Sequence, residues 1–397
     1  MRRAAIIGIC SAWLAVGALP LKAQVPPPKG KDTKGAGLAA KVADVFNQPL
    51  HPVVKGVAAD GGVGAGIGYD FPKQGRWQTS AEAVMTVRGY WSTQLTTSRH
   101  TSRTSLVGYG RVRDMGSLSF FGPGTNSALG DRTLFALREP IVGAVGTVRL
   151  SPWVTVGGRV EELWPQVAGG GNSRYPNIET RFGEAEAPGV ALQPRFGRYD
   201  MFVDVTSDAG RPGTLYQGGK THIGYGFFDD QQFNRYNFRR LDVETQHRFT
   251  LLGPHRLITL HGWVSTSEPS DGNDVPFFLQ NTLGGRGNLR SVNEHLIGTD
   301  GTDATLRGFR AFRFRDRHLM LLQAEYRWPL CGPIDATVFV DAGKVTSRRR
   351  DLNLTDLKRN YGFSLGAVRG TNTVVRMDVG FGGGEGTHVF FTFGRVM

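Results

Sequence analysis

The sequence predicts an all-β chain folded as a transmembrane antiparallel β-barrel. Three observations lead there: strands with one apolar and one polar face, short connections alternating with long ones, and a chain that stops inside a strand. Successive strand residues point to opposite sides. In 319–329, Met320, Leu322, Ala324, Tyr326 and Trp328 share one face, and Leu321, Gln323, Glu325 and Arg327 share the other. In 334–343, Ile334, Ala336, Val338, Val340 and Ala342 oppose Asp335, Thr337, Phe339, Asp341 and Gly343. In 373–381, Val375, Met377, Val379 and Phe381 oppose Val374, Arg376, Asp378 and Gly380. A soluble sandwich can use such a pattern. A barrel in lipid requires it, with hydrocarbon outside and a polar lumen inside.

The elements follow in chain order. Residues 1–23 read as a secretory signal: Arg2 and Arg3, an apolar run, and a plausible cut after Ala23. The run is broken by Gly17 and Pro20, well short of the roughly 18 apolar residues a membrane helix needs. Its removal leaves Cys331 as the one thiol, so no internal disulfide is expected. Residues 24–58, rich in Pro, Lys and Gly, read as a periplasmic linker. A short helix over 37–48 would gather Leu38, Val42, Val45 and Phe46 on one face.

The barrel is expected over 59–397. In 200–206, Met201, Val203 and Val205 oppose Asp200, Phe202, Asp204 and Thr206. In 240–250, Arg240, Asp242, Glu244, Gln246 and Arg248 fill one face. That face would be costly in a dry core and is at home in a wet lumen. Connections are short at 150–152, 208–213, 253–254 and 331–333, and long at 122–135, 164–195, 266–315 and 344–358. Short turns on one rim and long loops on the other suit an outer-membrane barrel. About fourteen strands can be placed this way. Ring closure is then demanded, because an open edge would leave unpaired backbone groups in lipid.

Composition narrows the chemistry. The formal charge is +13 and the pI about 10.0. Nucleic acid is not the expected partner, because the basic residues are scattered through strands and loops rather than gathered on one face. Arg348, Arg349 and Arg350, in an outward loop, suit lipopolysaccharide phosphates. No enzyme is expected. Asp229, Asp230, Asp303, Ser265, His222, His247, His255 and His261 are scattered, and no Gly-x-Ser-x-Gly elbow occurs. No metal-ligand spacing and no cofactor loop occur either: Gly382-Gly383-Gly384 reads as a hairpin turn.

One set of residues resembles a known family. Leu306-Arg307-Gly308-Phe309 ends a long loop, "LLQAEYR" follows in a strand, and then comes Phe339-Val340-Asp341-Ala342-Gly343. This looks like the BamA/TamA-type bacterial surface antigen superfamily. The likeness is dense over 284–397 and thinner over 60–283, where Phe120-Phe121-Gly122-Pro123-Gly124 also fits. The resemblance implies a sixteen-stranded outer-membrane barrel that inserts or translocates other proteins. It implies that Arg307 folds into the lumen and pairs with Asp341, with Glu325 as a second acid and Gly308, Phe309 and Gly343 shaping the seat. It also implies an assembly signal at the C-terminus: Val389, Phe391, Phe393, Gly394 and Met397, the last usually aromatic in the family. The 24–58 segment leaves no room for the periplasmic (POTRA) domains that precede most family barrels. The implied partners are outer-membrane lipid, lipopolysaccharide and client outer-membrane proteins or a periplasmic subunit. A client strand would add at a weak seam between about 62–71 and 387–397. A passive or lipid-handling pore is the competing expectation.

Overall fold

The structure, a computed structural model, describes residues 48–208, 218–251, 256–285, 304–369 and 372–393. The signal, most of the linker with its expected helix, and Gly394 and Met397 lie outside those residues. The strands are β1 (Leu50–Val54), β2 (Gly64–Asp70), β3 (Trp77–Thr86), β4 (Trp91–His100), β5 (Thr104–Phe120) and β6 (Thr133–Arg149). Then come β7 (Val154–Leu163), β8 (Gln166–Gly169), β9 (Phe196–Asp208), β10 (Gly218–Asp230), β11 (Phe238–Thr250), β12 (Leu257–Pro269) and β13 (Asn281–Leu283). The last are β14 (Phe314–Asp316), β15 (His318–Cys331), β16 (Ile334–Thr346), β17 (Lys358–Arg369), β18 (Asn372–Phe381) and β19 (His388–Phe393).

Seventeen of these segments belong to one sheet; β13 and β14 form a separate ribbon inside the β12–β15 connection. The pairing is antiparallel throughout and runs from each strand to the next, from β1 on β2 (Leu50 opposite Tyr69) to β18 on β19 (Val379 opposite Val389). β7 and β8 both pair with β6, one where the other leaves off, so they form one strand interrupted at Trp164-Pro165. The ladder therefore passes through sixteen strands among the described residues. No register joins β19 to β1 among them.

The first strand is a correction. Leu50–Val54 belongs to the sheet, so the barrel starts inside the segment read as linker. Pro52, which cannot donate to a ladder, made the segment look unlike a strand; at the end of a ladder it is tolerated. The glycine-rich strand is therefore second, paired on both sides. Its glycines also serve a different purpose from a weak seam. A Cβ at Gly66 would strike the Ala83 backbone, and one at Gly68 would strike the His51 ring. They allow close approach on the crowded inner side.

The two faces divide as the alternation requires. Met201, Val205, Leu322, Val338, Val340 and Val389 point outward and are exposed. Asp204, Arg240, Glu244, Gln323, Glu325 and Asp341 point inward and are buried. Among the described residues no helix is long and apolar enough to cross a membrane. The outer mouth is filled rather than open. Phe277, in the β12–β13 connection, meets Phe135 of β6 at 4.9 Å and Phe120 of β5 at 5.4 Å between ring centroids. Phe228 and Phe238 stack at 4.3 Å nearby in the same apolar cluster.

Candidate functional site

The β12–β15 connection returns into the barrel as a strap, residues 304–317, ending in β14. Its backbone is tied to itself: Gly285 N–H donates to the Leu306 carbonyl at 2.9 Å, and Phe309 N–H to the same carbonyl at 3.1 Å. The turn at 306–309 aims Arg307 at the inner wall.

Arg307 is wholly buried. Its Nε donates to Asp341 Oδ2 at 3.0 Å and its Nη2 to Asp341 Oδ1 at 2.5 Å, a two-pronged pairing that the planar guanidinium is shaped for. Its backbone N–H also donates to Asp341 Oδ2, at 3.1 Å. Nη1 pairs with Glu325 and lies 3.5 Å from Asp378 Oδ1. The guanidinium carbon sits 3.5 Å above the Phe339 ring centroid. Asp341 is on β16, Glu325 on β15 and Asp378 on β18, so one side chain fastens three strands.

The carboxylates are held from the other side. Gln323 Nε2 donates to Asp341 at 3.0 Å and to the Thr305 carbonyl at 2.9 Å. Asn360 of β17 donates to Asp341 at 2.8 Å. Arg376 of β18 bonds Glu325 at 2.8 Å and Asp378 at 2.9 Å, and Ser364 donates to Asp378 at 2.6 Å. Three buried acids thus share two guanidinium groups and four neutral or backbone donors. Satisfaction on this scale is what makes a buried charge cluster tolerable.

Small residues let the strap lie flat. A Cβ on Gly308 would fall 2.5 Å from Asn360 Cβ and 2.7 Å from the Phe381 carbonyl. One on Gly380 would collide with the Arg307 carbonyl, and one on Gly383 with the Gly308 carbonyl. Gly343 of β16 clears room for Leu283 of β13, 3.0 Å from where its Cβ would be. Phe309 and Phe314 pack edge-on at 5.1 Å in a second apolar cluster with Leu306, Trp263 and Leu321.

Further along, the strap crosses the mouth. Arg313 pairs with Glu385 between β18 and β19 and donates to Ser127 in the β5–β6 loop at 2.7 and 2.8 Å. Thr125 of that loop is hydrogen-bonded to the Val345 backbone of β16 at 2.6 and 2.8 Å. Arg315 stands apart. It is buried among Phe120, Phe135 and Phe277, with ring centroids 5.3–5.6 Å away, and its Nη1 donates to the Phe277 carbonyl at 2.8 Å. Burial pulls its pKa down to about 9, and no acid partners it among the described residues.

Of the six residues expected in the lock, Arg307, Glu325 and Asp341 meet directly, Gly308 lies against Asn360, and Phe309 and Gly343 lie in or against the apolar cluster of Leu283 and Leu321. Val389 and Phe391 of the expected C-terminal signal point outward on β19, which also contains Phe393. Asp378, Arg376, Gln323, Asn360 and Phe339 join the lock without having been singled out. Asp378 and Arg376 carried a usable signal, their inward parity on β18.

The scattered polar candidates form other bonds. His222 binds Asp204 at 2.8 Å, His261 binds Glu244 at 2.8 Å and Gln323 at 2.7 Å, and Ser265 bonds Asn281 at 2.9 Å. His255 and Asp303 lie outside the described residues.

Against solved structures, the chain aligns with BamA from Haemophilus ducreyi lacking POTRA domains 1–3, at a TM-score of 0.57 and 9% identity. That alignment covers 96% of this chain and 81% of the other. The fold is that of the BamA barrel. CdiB from Escherichia coli aligns at 0.53 with 10% identity, over 87% of this chain and 62% of that one. CdiB from Acinetobacter baumannii gives 0.47 with 13% identity, over 84% and 56%. The chain thus spans somewhat over half the length of the CdiB proteins. No sequence-family profile and no curated protein matches.

Proposed function

We propose that this BamA-fold barrel sits in a bacterial outer membrane and inserts or translocates other outer-membrane proteins. The observation that carries the reading is the strap lock: a loop arginine buried on acids from β15, β16 and β18, in a barrel of this fold. Such a lock stiffens β15 to β18 and leaves the mechanical freedom at the ends of the ladder. Those ends are β1 and β19, of which Leu50–Val54 and His388–Phe393 are among the described residues. Strands at the edge of a sheet accept an added strand by edge pairing. The client strand would enter between them.

The test is depletion in the native host, followed by quantitation of other barrels in the outer membrane. A fall in several of them, restored by the wild-type gene, supports the reading. Unchanged levels would remove it. The passive-pore alternative is weakened by the filled mouth and the strap within the lumen. A steady conductance in planar bilayers that persists with the strap intact would favour it. We assign the chain no enzymatic activity.

A further inference from the structure

At the outer rim, four loops bring arginines together. Arg88 lies in the β3–β4 turn, Arg132 at the end of the β5–β6 loop, Arg174 in the β8–β9 loop, and Arg310 in the strap, three residues after the lock. Tyr175 is the hub. The Arg132 guanidinium carbon is 4.2 Å from its ring centroid and that of Arg174 is 5.4 Å away. Arg132 also donates to Ser119 at 3.0 and 3.2 Å, and Ser119 reaches Asp60 at 3.5 Å. Arg88 approaches Asp60 at 3.9 Å.

The cluster carries more positive charge than it can settle internally. Asp60 is its one acid partner among the described residues, and burial pushes that carboxyl's pKa up against the pull of Arg88, Arg132 and Arg310. The Tyr175 hydroxyl responds the other way. What burial it has would raise its pKa, and Arg132, Arg174 and Arg310 more than reverse that. Arg310 Nε is enclosed and has no hydrogen-bond acceptor among the described residues. Arg88 and Arg174 are exposed, so the cluster opens to solvent.

Four guanidinium groups from four loops, one weak internal acid and one idle buried donor make a seat for an oxyanion with several charges. We propose that this rim cluster binds a phosphate group, free or on the phosphorylated glycolipid of the outer leaflet. Guanidinium forks match phosphate geometry and bond it with charge-assisted strength. The ligand would join the β3–β4, β5–β6 and β8–β9 loops to the strap.

The experiment uses the full chain folded in detergent, titrated calorimetrically with inorganic phosphate. It is repeated in nanodiscs containing lipid A with two phosphates or with none. The double variant Arg174→Gln/Arg310→Gln should weaken phosphate binding by about tenfold, the loss expected of two charge-assisted contacts. The control Arg103→Gln/Arg149→Gln removes equal charge from exposed positions at the opposite rim and should change it less than about twofold. Heat-modified gel mobility verifies that each variant is folded. Binding in detergent alone identifies a free oxyanion as the ligand, and binding only in phosphorylated nanodiscs identifies the glycolipid. No binding in either, or equal losses in the two variants, overturns the site.

Discussion

Removing the Arg307 side chain is the most informative perturbation of the lock. In Arg307→Ala, Asp341 loses two side-chain bonds, and Glu325 and Asp378 lose one cation of two. The acids stay in place, because Arg376, Gln323, Asn360 and Ser364 still hold them. Stranding one half of a buried ion pair costs about 3–5 kcal/mol. Loss of the contact with the Phe339 ring adds up to about 2 kcal/mol for a desolvated pair. The expected destabilisation is therefore at the upper end of point substitutions. Desolvation sharpens the test. Removing Asp341 as well, in Arg307→Ala/Asp341→Asn, takes away the stranded charge and should recover part of the loss. The assay is unfolding in detergent with denaturant, read by heat-modified mobility and near-UV circular dichroism. Wild-type stability in Arg307→Ala, or additive losses in the double variant, would refute the argument that Arg307 and Asp341 act as a buried pair.

Three further outcomes are expected. Gly380→Ala, which puts a methyl group against the Arg307 carbonyl, should destabilise by about 1–3 kcal/mol and expose the strap to limited proteolysis, whereas Gly110→Ala, where a Cβ meets open space, should leave the strap protected. Burial lifts the Asp316 carboxyl to about 6, against the pull of the Arg317 amide and guanidinium. A folded pKa above the unfolded value means that stability is full below about pH 4 and is lost as pH rises through 6. Asp316→Asn should therefore exceed wild type by roughly 3 kcal/mol at pH 8 and match it near pH 4, as measured by denaturant unfolding across that range. Met201→Arg, on the outer face of β9, should cost about 2–4 kcal/mol on refolding into lipid vesicles, while Leu150→Arg in a turn should be near neutral; equal effects would mean that the outer face does not meet hydrocarbon.

Much of the wall was legible because a period of two is hard to disguise. Where Asp341, Glu325 and Arg240 alternate with Val340, Ala324 and Leu241, the inner face follows from counting alone. Arg307 needed more than counting. It sits in an arginine-rich loop without a period, and the surrounding tetrapeptide singled it out. Asp378 and Arg376 had the right parity, but parity names a face and not a height along the barrel. Their meeting with Arg307 depends on strand stagger, which no local pattern encodes. β1 was hidden by Pro52. The ribbon of β13 and β14 has three residues on each side, too few for any alternation to show. The aromatic mouth was illegible for a similar reason: Phe120, Phe135 and Phe277 come from two strands and a loop far apart in the chain.

Gly380 and Asp378 have a consequence for how the molecule is made. The strap at 304–317 precedes its anchors on β15, β16 and β18 in the chain, and the last of them is about seventy residues downstream. Arg307 therefore has no complete seat until the chain has been made through residue 378. Contacts of that sequence separation form late, since loop closure must come first. Until then the arginine waits in water, where an exposed charge is harmless. A chain cut short before residue 378 leaves the strap without that anchor and open to proteases.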